Sequence, residues 1–120
     1  MTDCVFCAIV AGTEPANIKR HWPDALAIVP LFPVVDGHML IIPKGHIAHP
    51  DQDLVMAGAA AARAAEWAWY KLNHGGQRDY NLIVSAGEHA SQTVFHLHWH
   101  YVPRRQGDGL ALPWTGQVKP

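Results

Sequence analysis

The chain has little of what a membrane, a nucleic acid or an oxidising compartment demands. No apolar run approaches the roughly 20 residues needed to span a bilayer. Lys and Arg number 9 against 10 Asp and Glu, giving a formal net charge of −1, and the cations form no cluster. A surface that binds nucleic acid is therefore not expected, nor is membrane attachment. Cysteine occurs only at Cys4 and Cys7. The opening Met1-Thr2-Asp3-Cys4 lacks both the basic region and the apolar stretch of a signal peptide, so the chain is read as cytoplasmic. In that compartment a Cys-x-x-Cys pair offers thiols or metal ligands rather than a disulfide. The length leaves room for one domain, 1–120, with one sizeable core.

Histidine is what the chain has in quantity: nine, as many as Lys and Arg together. Imidazole titrates near neutral pH and serves as nucleophile, acid, base or metal ligand. The pattern is sharpest in Val94-Phe95-His96-Leu97-His98-Trp99-His100-Tyr101-Val102. Read as a strand, it puts His96, His98 and His100 on one face, about 6–7 Å apart, and Phe95, Leu97, Trp99 and Tyr101 on the other. A helix would scatter the imidazoles and leave no apolar stripe.

The remaining elements follow from apolar runs and their punctuation. Ala25–Val29, between Pro23 and Pro30, reads as a buried strand, and His38–Ile42, stopped by Pro43, as a second paired antiparallel to it. Asp53–Leu72 is an Ala-rich helix with an acidic start and a stop at Asn73-His74-Gly75-Gly76. Leu54, Gly58, Ala61, Ala65 and Leu72 share one side of it, a surface for close packing on a sheet or a second helix. Tyr80–Ser85 is another strand, 86–91 a loop, and the Gly- and Pro-containing stretch from about 105 to 120 an extended tail. Strand–strand–helix–strand–strand specifies an α+β fold, an antiparallel sheet with one main helix.

Gln92-Thr93-Val94-Phe95-His96-Leu97-His98-Trp99-His100-Tyr101-Val102-Pro103-Arg104 resembles the signature of the histidine-triad (HIT) family. Gly37-His38-Met39-Leu40-Ile41-Ile42-Pro43-Lys44-Gly45-His46 resembles that family's upstream strand, and Asp3-Cys4-Val5-Phe6-Cys7 its usual opening. The resemblance implies a HIT-like fold and a nucleotidyl hydrolase or transferase, usually dimeric, working without an organic cofactor. It makes His98 the nucleophile toward the α-phosphorus of a nucleoside phosphate derivative: a phosphoramidate, an adenylated conjugate or a dinucleoside polyphosphate. His100 would contact the phosphate oxygens and assist the leaving group, and His38 would support the triad. Gln92, Thr93 and Ser85 fall where the family places groups around the phosphate. The resemblance also implies a structural zinc on Cys4, Cys7, His46 and His96, the last serving both the triad and the metal. The ribose contact does not carry over, because Pro30 stands where the family has Asp or Asn. Two other readings use the same residues: a binding module without turnover, recognising a nucleotide or a protein, and a catalytic metal held by His96, His98 and a third ligand.

Overall fold

The computed structural model describes residues 3–76 and 78–115. A short helix α1 (Val5–Ala11) opens the chain and is followed by strands β1 (Ile18–His21), β2 (Ala25–Ile28) and β3 (Met39–Pro43). Helix α2 (Leu54–Leu72), β4 (Tyr80–Val84) and β5 (Trp99–Pro103) complete it. The five strands form one sheet in the order β1-β2-β3-β5-β4, every neighbour antiparallel. The expected α+β class and antiparallel sheet are thus what the chain adopts.

Both faces of this sheet are covered, which is why β2 and β3 read as continuous apolar runs rather than alternating ones. Ala25, Ala27, Met39, Ile41 and Tyr101 pack with Trp22 against Ala64, Trp67 and Ala68 of α2. Leu26, Ile28, Leu40 and Ile42 pack on the other side against Phe6 and Ile9 of α1. Helix α1 is capped by Cys4, whose Sγ accepts from the Cys7 N–H at 3.3 Å, and ends at Gly12 in the left-handed conformation (φ 81°).

Three local expectations need correction. The histidine strand does not begin at Val94: residues 94–96 are bent, 97 and 98 are irregular, and regular pairing starts at Trp99. The division of faces nevertheless holds for Leu97 and Tyr101, which are buried with the α2-side core, and fails at Phe95, which is 49% exposed. The face of α2 that packs is Ala57, Ala60, Ala64, Trp67 and Ala68, not the one with Leu54 and Gly58; Leu54 is 77% exposed. Alanine lies on nearly every side of this helix, and its two indoles fall on opposite sides, Trp67 6% and Trp69 64% exposed, so residue size does not mark the packed face in the sequence. Strand β1 is an unanticipated edge strand, all four of its residues exposed. Of the expected tail, 116–120 lie outside the described residues; Arg104 clamps Asp108 through two bonds of 2.7 and 3.1 Å.

Candidate active site and metal cluster

The pairing of Leu40 with His100 places His100 on the α1 side of the sheet. His98 and His100 there line a cavity of about 510 Å³, with walls that include Phe6, Ile9, Ile28, Val29, Pro30, Phe32 and Leu40. His38 and Thr93 line it too.

Hydrogen bonding fixes which ring nitrogens are available. The Nδ1 of His98 lies 2.8 Å from the carbonyl oxygen of His96. A carbonyl only accepts, so Nδ1 carries the proton and Nε2 keeps its lone pair. His98 is 7% exposed, and burial pulls its pKa below the ordinary histidine value, against a smaller upward pull from that carbonyl. The ring is therefore neutral at pH 7, as a nucleophile must be.

A second relay starts from a backbone amide. The Val34 N–H donates to His38 Nδ1 at 3.1 Å, which puts the His38 proton on Nε2. That Nε2 donates to His100 Nδ1 at 2.9 Å, so His100 holds its own proton on Nε2. Burial, reinforced by the neighbouring His98 and His38, pushes the His100 pKa down to about 4. Burial alone lowers that of His38. The pair is a neutral chain that ends in an N–H donor beside a lone-pair nucleophile, with the His98 and His100 rings 5.1 Å apart.

His96 is in a different position. Its Nε2 donates to the Pro43 carbonyl at 2.8 Å, which leaves Nδ1 as a lone pair. Nδ1 lies 3.4 Å from Cys4 Sγ, 3.6 Å from Cys7 Sγ and 3.2 Å from His46 Nδ1, while Cys7 Sγ is 3.2 Å from His46 Nδ1. All four ligand atoms fall within 4.8 Å of one another. A Cys₂His₂ tetrahedron with zinc bond lengths has edges of about 3.3–3.8 Å. The cluster is compatible with zinc in both donor type and spacing. The Pro43 carbonyl supplies the outer hydrogen bond that fixes the ring tautomer of a metal-bound histidine. His96 is fully buried, with Nε2 on the Pro43 carbonyl and Nδ1 among the other three candidate ligand atoms.

The residues expected around the phosphate are placed unevenly. Thr93 is exposed on the cavity wall. Gln92 is 3% exposed, and its Nε2 donates to the carbonyls of Ala48 (2.8 Å) and Val94 (3.1 Å) while Oε1 accepts from the Gly87 N–H (2.8 Å). Its amide braces three backbone segments instead of reaching the cavity. Ser85 follows β4 and is not among the cavity's lining residues. Ser91 adopts φ 68°, a left-handed turn that sets Gln92 and Thr93 on their path. Sequence reasoning did not identify the carbonyl of Pro43 or the N–H of Val34, and the family resemblance implied a backbone carbonyl behind His98 without saying that His96 supplies it. Any residue offers those, so no side-chain pattern marks them.

Alternating imidazoles over a cavity, the first tied to a Cys₂His₂ cluster on a five-stranded antiparallel sheet, define a histidine-triad protein. Residues 12–107 match the family model for the HIT domain, and the chain belongs to that family. An adenosine 5'-monophosphoramidase of Saccharomyces cerevisiae is 34% identical over 119 residues, covering 95% of this chain and 71% of the yeast protein. An adenylylsulfatase of Arabidopsis thaliana is 35% identical over 112 residues, covering 90% of this chain and 55% of the plant protein. The crystal structure of a zinc-bound histidine triad family protein from Mycobacterium smegmatis superposes with a TM-score of 0.81 at 36% identity, over 91% of this chain and 80% of the other. Among the described residues no helix is long and apolar enough to cross a membrane.

Proposed function

We propose that this chain is a nucleotidyl hydrolase or transferase that passes through a covalent nucleotidyl-histidine on His98. The observation that carries this is the His98 Nδ1 to His96 carbonyl bond of 2.8 Å, which leaves Nε2 unprotonated on a ring that lines the cavity. In the first step Nε2 forms a bond to the α-phosphorus as the bond to the leaving group breaks. The leaving amine or oxygen keeps the electron pair and takes a proton from solvent. In the second step water attacks the same phosphorus, gives up its proton to solvent, and releases His98 and a nucleoside monophosphate. The His100 Nε2–H and the Thr93 hydroxyl donate to the phosphoryl oxygens as charge builds there. His38 holds the His100 tautomer and is a positioning residue.

The substrate is a nucleoside phosphate derivative, a phosphoramidate, an adenylated conjugate or a dinucleoside polyphosphate, in which the nucleotidyl group passes to His98 and the amine, the conjugated acid or the remaining phosphate chain leaves, a reading supported by the activities named for the yeast and plant relatives. Zinc would be held by Cys4, Cys7, His46 and His96, and with all four positions filled by protein it supplies a structural cross-link and no reacting position. The protein works as a homodimer. Leu54, Val55 and Trp69 on the outer face of α2 are 77%, 84% and 64% exposed, an apolar surface suited to a second copy.

Intact-protein mass spectrometry after mixing with an adenylated substrate tests the proposal. An adenylyl adduct that maps to His98 and is absent from His98→Ala is expected. Steady turnover by His98→Ala would remove the nucleophile assignment. One observation favours a second reading, a binding module: the Gln92 amide is already fully engaged. Tight AMP binding in calorimetry without product from any of the three leaving-group classes would establish that reading instead.

A further inference from the structure

A second cavity, of about 420 Å³, lies on the α2 side of the sheet, opposite the His98 side. Lys19, Asp36, His38, Trp67, Tyr70 and Lys71 are among its lining residues. Two features of its wall stand out. Strand β1 carries a bulge: Ile18 pairs with Ile28 and Arg20 with Ala27, so Lys19 is the extra residue. A bulge re-aims a side chain that regular alternation would send to the other face. Here Lys19 lines the cavity while its neighbour Arg20 also reaches the α2 side, 5.5 Å over the Tyr70 ring and 3.7 Å from Glu66. The ammonium groups of Lys19 and Lys71 have no carboxylate partner among the described residues, although Lys71 sits 5.9 Å over the Trp67 ring.

The second feature is an orphan donor. Trp67 is 6% exposed and its Nε1–H is buried without a hydrogen-bond partner. With almost no accessible surface of its own, this nitrogen cannot contact a ligand and acts as a reporter on a wall residue of the cavity. Two cations and one carboxylate, Asp36, leave the lining with a net positive charge, which favours an anionic ligand. We propose that this cavity is a second ligand site, for a small molecule bearing a phosphate or carboxylate group held by Lys19 and Lys71. It is separate from the nucleotide cavity but not remote from it, because His38 lies in the wall of both.

The ¹⁵N-labelled full chain is titrated with inorganic phosphate and, separately, with succinate, sodium chloride at matched ionic strength serving as the reference. The Trp67 indole N–H resonance, assigned by its loss in Trp67→Phe, is the readout. No tryptophan lines the cavity of His98, so an anion that settles there leaves this resonance in place. A saturable shift is expected, weakened at least about tenfold in Lys19→Gln/Lys71→Gln with the other indole signals retained. Saturation by phosphate alone assigns a phosphate ligand, and by succinate alone a carboxylate. If the double variant does not fold, Lys19→Gln alone, on the exposed edge strand, weakens binding about threefold. No shift, a shift that chloride reproduces, or a shift that the substitutions leave undiminished overturns the proposal.

Discussion

Replacing Gln92 separates a brace from a substrate ligand. In Gln92→Ala three backbone groups lose their partner together: the Gly87 N–H and the carbonyls of Ala48 and Val94. Each such bond contributes about 0.5–1.5 kcal/mol net, and a group left buried and unpaired costs about 1–3 kcal/mol. Water entering the vacated space recovers part of this, so the expected loss is about 3 kcal/mol. With a urea m-value of about 1.5 kcal/mol/M, the midpoint moves down by about 2 M at unchanged m. Gln92→Glu fares no better, since a carboxylate oxygen would then face the two carbonyls that the amide hydrogens now satisfy. Urea unfolding followed by tryptophan fluorescence gives the stability, and single-turnover adenylation of His98, measured well below the midpoint, gives the chemistry. A bracing role predicts the full stability loss with an adenylation rate within about tenfold of the parent. A midpoint shift under about 0.3 M together with a hundredfold slower adenylation would refute it, and would return Gln92 to the phosphate.

His98→Ala should keep its far-ultraviolet circular dichroism and lose turnover by at least about 10³-fold, measured with an adenosine phosphoramidate. The burial that depresses His98, His38 and His100, the last to about 4, fixes a sign. Below the ordinary histidine value the unfolded chain binds more protons than the folded one, so stability is fully present above about pH 6.5 and is lost as pH falls toward about 4. A pH series of urea midpoints checks this, and kcat/KM should hold its plateau below pH 6.5 before its acid limb descends. Cys4→Ser should remove bound zinc, read by metal analysis, and lower stability by several kcal/mol; prolonged chelation should slow turnover only as structure is lost, whereas an instant stop in a folded protein would favour a catalytic metal. Light scattering should find the proposed homodimer for the parent and a monomer for Trp69→Glu, which places a charge on the exposed face of α2.

What the sequence made legible were periods and stops. β3 and the bounds of α2 are marked by apolar runs, by the Asp53 cap that accepts from the Met56 N–H, and by the Asn73 stop. The cluster of Cys4, Cys7, His46 and His96 was legible through the family resemblance, and the chain brings the four together. β1 was hidden because an exposed edge strand needs no apolar alternation. The packed face of α2 was hidden because alanines give no contrast in size around the helix. The role of Gln92 was hidden for another reason: its partners include a carbonyl 44 residues away, and only the folded chain brings it near.

Residue 96 serves two masters: its ring joins Cys4, Cys7 and His46, and its carbonyl anchors the ring of His98. An alanine scan that reported activity lost at His96 would therefore say nothing about chemical participation, because the side chain governs the carbonyl's orientation at one remove. Were zinc held by the cluster and His98 the nucleophile, two properties that laboratory evolution would want to adjust separately, tolerance of metal loss and reactivity of the attacking nitrogen, would be inherited as a single trait.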